Sequence, residues 1–430
     1  MSVSNLLEES YERVTDVART SRGRLVAMLS ARTGDILLAE DVLSDAFQRA
    51  LEVWPQKGIP NNPEAWLFST ARNRLIDMNR KNKRHPHEEF LEALNQEIEM
   101  VITSDTFADE RLTLMFVCAH PAINPKIHTP LMLQTVLGLD ANKIADAFLI
   151  SSDAMAQRLV RAKRKIHAAV IPFVCPQLTE MPERLDAVLE AIYGAFTVDW
   201  LNNTSSNEIN SVKNENNEIR NVDQSLAEEA FYLVNVLLEL LPEEPEALGL
   251  AALLYFSTAR SESRFDKNGE YIPLDKQDTL RWNKQKIDQG NLLLNKAHAY
   301  GKLGRFQLEA AIQSVHCERW RTNKTDWASV AQLYEGLLKI APTIGAAIGR
   351  SIAMAHAFDA DVGLSCLNQI DEKAVTNFQP YWAARAYLLE KLNQKTQAIL
   401  AYDQAIHLCH EEAIKKYLIT CKAKLNSLNI

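Results

Sequence analysis

Little in this sequence breaks a helix. Glycine and proline number only 14 and 15 in 430 residues, while Leu, Ala, Glu and Lys are abundant, which predicts an almost wholly helical protein. Long apolar runs are also missing, and none approaches the ~18–20 residues that a membrane span needs. The N-terminal stretch MSVSNLLEESYERV is charged from Glu8 onward and lacks the apolar core of a signal peptide. The expected compartment is the cytoplasm, with no membrane contact. The six cysteines, at 118, 175, 317, 366, 409 and 421, form no CxxC pair. They read as free, mostly buried thiols in a reducing environment. Cys118 and His120 stand two apart with no second ligand pair, which suits a structural Cys and a turn His rather than zinc. Gly-rich phosphate loops, GxSxG and HExxH are absent as well. His316, Cys317 and Asp326 lie near one another without forming a nucleophile constellation. No enzyme, cofactor or metal site is expected.

What is present is apolar bulk and unevenly spread charge. Apolar residues make up 47 % of the chain, enough for sizeable cores, and the length suits two to three domains. The net charge of −8 is divided unequally: residues 1–172 hold 21 Lys and Arg against 22 Asp and Glu, the remainder 26 against 33. Positive charge concentrates in Arg72–Arg84 and Arg158–Lys165. Such patches steer association with phosphates even on an acidic protein.

The stretch LGLDANKIADAFLISSDAMAQRLVRAKRKIHAA (137–169) reads as two helices joined by a tight turn. The first, about Ala141 to Phe148, turns Ile144, Ala145 and Phe148 inward. The second starts at Ser151 or Ser152, where a hydroxyl caps free backbone N–H groups. Met155, Leu159, Ala162 and Ile166 share one face of it, with Gln157, Arg158, Arg161, Lys163, Arg164 and Lys165 on the other side. This is the pattern of a helix-turn-helix whose second helix enters a DNA major groove. The bland alternative is a solvated basic face on a helical hairpin.

Upstream, helices are expected over Tyr11–Ser30, Leu37–Trp54 and Pro63 to about Lys83. The last ends in RNRLIDMNRKNKR, six cations in thirteen positions. Trp66 and Phe68 share its apolar stripe and are expected in the core. Residues 85–110 are acidic and suit a linker.

The runs AEDVLSDAFQRALEVW (39–54) and PEAWLFSTARNRLIDMNRKNKR (63–84) resemble region 2 of an extracytoplasmic-function (ECF) sigma factor of the sigma-70 family, and residues 113–166 resemble region 4. The resemblance implies that Glu40, Asp41, Asp45, Phe47 and Gln48 dock on the β′ clamp helices of core RNA polymerase. It further implies that region 4 meets the β flap. Arg72, Asn73, Arg74, Asp77, Arg80, Lys81, Lys83 and Arg84 would lie against the −10 element. Ser152, Asp153, Ala154, Gln157, Arg158 and Arg161 would face the −35 element, with Lys163, Arg164 and Lys165 holding phosphates. The physical reading agrees, since Arg and Gln suit guanine and adenine edges.

Beyond Pro172, Pro176 and Pro182 the composition changes. Arg184–Val198 reads as one helix, and the Asn- and Ser-rich segment 201–224 as an exposed loop. Tyr334 and Tyr402 sit at matched points of similar helices 68 residues apart, twice the period of about 34 of tetratricopeptide repeats. Ala398, Tyr402 and Ala405 match that repeat's second helix, and either repeats or a plain helical array would offer a concave face to a protein or peptide partner. The stretches 241–260, 274–290, 304–312 and 325–342 resemble the long C-terminal extension of one group of these sigma factors. Asp266, Asp275, Asp278, Arg281, Trp282 and Asp326 are open to functional roles or to caps and salt bridges.

The expected fold is all-α. Region 2 takes residues 1–88, a linker 89–108, a region 4 helix-turn-helix 109–172, and a tetratricopeptide-like helical extension 173–425. The expected function is promoter recognition by an ECF sigma factor, with core polymerase and promoter DNA as partners. The rival is a free-standing helix-turn-helix regulator with a repeat-type protein-binding domain. A simple repressor has no need for a docking helix followed by a basic strand-opening helix.

Overall fold

The computed structural model describes the backbone of residues 3–81, 104–148, 150–177, 179–202 and 226–427. Side chains are described within these except at 3–6, 79–81, 104–109, 146, 199–202 and 426–427. The expected linker and the 201–224 loop therefore lie outside the described residues, apart from a few at their ends. The chain is all-α, as expected, and forms two compact units: Met1–Asp199 with Lys213–Leu237, and Trp200–Val212 with Leu238–Ile430.

In the first unit, α1 (Val3–Thr33), α2 (Ile36–Lys57) and α3 (Pro63–Lys81) pack on one another. α1 is longer than the expected Tyr11–Ser30. Asp35 caps α2 by accepting from the N–H groups of Leu37 (2.9 Å) and Leu38 (3.2 Å). α2 runs on through Pro55, because a proline in the last turn removes only one intrahelical bond. Gly58 ends it with φ 87°, its N–H on Trp54 O, a conformation that side chains resist. The Ala39, Val42, Leu43, Ala46 and Ala50 stripe is buried, as its spacing predicts, with Phe47 only half-buried. Trp54 is 1 % exposed and meets the half-buried Trp66 edge to face at 5.6 Å; Phe68 is buried.

α4 (Ser104–Cys118) packs on α1, and α5 (Pro125–Thr135), α6 (Ala141–Ala147) and α7 (Ser152–Ala168) follow it. Leu112, Leu114, Met115, Phe116, Val117 and Cys118 of α4 are all buried, so the C-terminal half of this helix is core on nearly every side. α1 passes so close to the turn after α5 that a Cβ on Gly23 would lie 1.8 Å from Val136 O. α8 (Pro182–Asn202) extends the expected Arg184–Val198 helix, and α9 (Leu226–Leu240) follows. Arg111 of α4 pairs with Glu229 of α9 and lies 4.9 Å over the Tyr232 ring. Burial lowers this guanidinium to about 10. The first unit thus runs past residue 172, taking in α8 to Asp199 and α9 to Leu237.

The second unit holds α10 (Pro245–Thr258), α11 (Lys284–Ala299), α12 (Arg305–Cys317), α13 (Arg319–Thr322), α14 (Trp327–Ile340), α15 (Ile344–Ala357), α16 (Ala360–Leu367), α17 (Glu372–Val375), α18 (Gln379–Lys391), α19 (Lys395–His407) and α20 (Glu412–Ser427). Each helix packs mainly on its neighbours along the chain, as in a helical array. Ala398, Ala401, Tyr402 and Ala405 line the buried side of α19, and the Tyr402 hydroxyl donates to Glu390 Oε2 at 2.6 Å. Tyr334 fills the space left by Gly349 on the next helix. The segment 259–283 is anchored by buried Trp282 beneath the Arg319 guanidinium, 5.0 Å from the ring. It reaches α20, where Tyr271 meets Tyr417 edge to face at 5.6 Å. A stretch of the chain itself therefore lies across the array.

Several acidic residues left open above are caps and turn-formers. Asp278 accepts from Leu280 N (3.0 Å), and Asp326 from the N–H (3.0 Å) and hydroxyl (2.7 Å) of Ser329. Asp266 accepts from the N–H groups of Asn268 and Glu270, both at 2.8 Å, and these bonds hold its carboxyl below the usual range.

Candidate nucleic-acid interface

The helix pair α6–α7 is built as its sequence implies, with two exceptions, Phe148 and Lys163. Ser151 is the cap, its hydroxyl accepting from Ala154 N at 3.4 Å. Met155, Leu159, Ala162 and Ile166 are buried, as are Ile144 and Ala145. Phe148, expected inward, is 40 % exposed; it stands just past the end of α6, with its N–H still on Ile144 O at 3.1 Å.

On the outer side of α7, Asp153, Gln157, Arg158, Arg161, Arg164 and Lys165 are exposed, and Ser152 and Ala154 partly so. The Arg161 Nε donates to Gln157 O at 3.2 Å. Arg158, Arg161 and Lys165 border an open concavity of about 590 Å³ with Lys126 and Asn124 at the start of α5. Lys126 joins this basic rim from 32 positions upstream of Arg158, a separation at which sequence periodicity carries no signal.

Lys163 departs from its expected place. Its ammonium points inward, 4 % exposed, and lies 2.7 Å from both carboxylate oxygens of Glu40 on α2. Arg22 on α1 approaches the same carboxylate at 3.4 Å. In this arrangement the Lys163 ammonium is turned away from the outer face of α7, and Glu40, 14 % exposed, is covered by it. Removing one partner of such a buried pair costs about 3–5 kcal/mol. Cys118 sits beside the pair, and burial pushes its thiol up to about 12. His167 Nδ1 adds a second α2–α7 link, 3.3 Å from Asp35 Oδ2.

The other expected docking residues lie outward: Asp41, Asp45 and Gln48 are exposed and Phe47 is half-buried. On α3, Asn73, Arg74 and Asp77 are exposed and Arg72 is partly so. Arg74 Nε lies 2.9 Å from Asp45 Oδ2, which brings one expected −10 residue against one expected docking residue. The Arg72 guanidinium donates to Asn73 Oδ1 at 3.2 Å. The side chains of Arg80 and Lys81, and all of Lys83 and Arg84, lie outside the described residues.

Among the described residues no helix is long and apolar enough to cross a membrane. Burial of the cysteines follows the expectation at 118, 317 and 409, whereas Cys175 is exposed.

Residues 17–85, spanning α2 and α3, match Sigma-70 region 2. Residues 184–298 match a family of unknown function, DUF6596. An uncharacterized protein of Rhizobium meliloti (strain 1021) is 34 % identical over 387 residues, covering 89 % of this chain and 88 % of its own. No solved structure matches the chain. Identity at that level over nearly the full length establishes that this chain belongs to one family with the rhizobial protein, and its residues 17–85 carry a sigma-70 region 2, which supports a sigma-70 family member.

Proposed function

We propose that this chain is a sigma-70-family sigma factor of the ECF type, with residues 109–172 as region 4. Region 2 docks through α2 on the β′ clamp helices and reads the −10 element through α3, while α7 reads the −35 element. The observation that carries this reading is the outer face of α7. Gln157, Arg158, Arg161, Arg164 and Lys165 stand exposed on a capped helix whose apolar side is buried, downstream of a region 2 in the same chain. Arg158, Arg161 and Gln157, with Ser152, Asp153 and Ala154 at the helix start, suit base edges in the major groove. Arg164, Lys165 and Lys126 suit phosphates. The second unit acts as a regulatory extension working in the cytoplasm. The free-standing regulator is disfavoured because region 2 serves polymerase, not an operator.

Binding to duplexes with intact or scrambled −35 elements tests the reading. Arg158→Ala and Arg161→Ala should each cost about 1–3 kcal/mol of discrimination. Unchanged preference in both variants would remove α7 as the reading helix.

A further inference from the structure

We propose that the second unit binds a protein segment through one lysine or arginine side chain, seated between the Asp275 carboxylate and the rings of His356 and Tyr387. This goes beyond the promoter reading above and does not depend on it.

Four helices of the array bring rings into one row. Trp327, at the start of α14, stacks on His356 of α15, the ring centroids 4.1 Å apart and the planes 9° from parallel. His316 of α12 meets Trp327 edge to face at 5.3 Å. Tyr387 of α18 follows at 5.9 Å from His356, with its hydroxyl 3.1 Å from His356 Nε2. The segment 259–283 crosses this row as a strap. Arg319 of α13 donates to Gln277 O at 2.9 Å, and Tyr271 meets Tyr417 of α20. The six steps from Tyr271 to Gln277 reach ~20 Å at most, so the strap ties α13 to α20 across a short gap. Asp275 stands between the two anchors. It is exposed, and among the described residues it has neither a hydrogen bond nor an ion pair. Its charge is felt by Arg319, His356, Tyr387 and Tyr417, on α13, α15, α18 and α20.

The chemistry of these groups selects a cation. Burial holds the His356 imidazole below its usual range and the Tyr387 and Tyr417 phenols above theirs, so all three are uncharged near neutral pH. Arg319 is engaged already, on Gln277 O and over the Trp282 ring. Asp275 is therefore an uncommitted carboxylate beside electron-rich rings, a pairing that suits an ammonium or a guanidinium. The row already draws one such group, since Lys391 Nζ lies 5.5 Å over the Tyr387 ring. Residues 173–430 carry 26 Lys and Arg against 33 Asp and Glu, a balance that steers basic partners inward and repels phosphate backbones. Asp275 and His356 are exposed, so a small amine would stay wet there and gain little. An extended segment covers the row and desolvates the contact, and the inner surface of a helical array accommodates such a segment.

Selection of displayed, randomised peptides on the immobilised full chain tests the proposal. The retained peptides should be enriched in lysine or arginine at one position. Added to the histidine-labelled chain, a retained peptide should shift the His356 ring signal in NMR spectra, which His356→Gln assigns. Asp275→Asn should weaken that peptide about tenfold or more, the loss of one charged contact. Asp275→Glu, which keeps the charge, should retain most of the affinity, and thermal melts check that both variants fold. Retained peptides without a shared cation, or acidic ones, overturn the proposal. So does equal binding to Asp275→Asn, or a His356 signal that does not move. Polymerase and promoter take no part in these measurements, so their failure leaves the promoter reading standing.

Discussion

At the scale of the residue, His316 ties burial to stability. Its imidazole lies edge to face with Trp327 at 5.3 Å. Burial, reinforced by the cations Arg260 and Arg319, holds it down to about 3. Above pH 6.5 it is neutral in folded and unfolded chains alike. Below 6.5 the unfolded chain takes up a proton that the folded one refuses until about pH 3. Stability should therefore fall with pH from 6.5 downward, by up to about 1.4 kcal/mol per unit. Urea midpoints of the natural chain between pH 7 and 5 should show this slope, and those of His316→Phe should lack its share. The exposed face of α7 was legible in the sequence because its residues need only helical period to be placed. Lys163 shared that basic run, but its partner lies 123 residues away, beyond the reach of any periodicity. Phe148 misled because it stands at the very end of α6, where helical spacing does not say whether a neighbour covers the side chain.

At the scale of the element, Glu246 shows how the array is fastened. Its carboxylate accepts from Phe306 N (2.8 Å) and Gln307 N (3.1 Å), capping α12 from α10, and from Gln307 Nε2 (3.1 Å). Glu246→Ala should leave those part-buried N–H groups without a partner and cost about 1–3 kcal/mol in urea unfolding, with Glu246→Gln costing less. The helices themselves were readable from period and propensity, and Tyr334 and Tyr402 are each the eighth residue of their helix. Ends were less so. Pro55 falls inside α2, and α8 begins two residues before and runs four past its expected bounds. The 259–283 segment was least legible, because its short turns depend on Trp282, Asp278 and Arg319 meeting across the chain.

At the scale of the molecule, a region 2 in the first part of the chain could be read from the sequence, and the boundary of the first unit differs from where composition put it. The Pro172–Pro182 change suggested a domain edge, yet α8 and α9 to Leu237 pack with the first unit. Arg184 Nη1 donates to Phe116 O at 3.5 Å, and Arg111 is held by Glu229. Removing everything after Pro176 would strip these partners, so a truncation meant to isolate the first unit has to keep residues through Leu237. Run-off transcription tests the central claim most directly, with the full chain and purified core polymerase on fragmented genomic DNA. The account predicts discrete transcripts that depend on this chain and vanish when α7 loses Arg158 and Arg161. Binding of the chain to DNA or to polymerase with no start-site-specific transcript would contradict it.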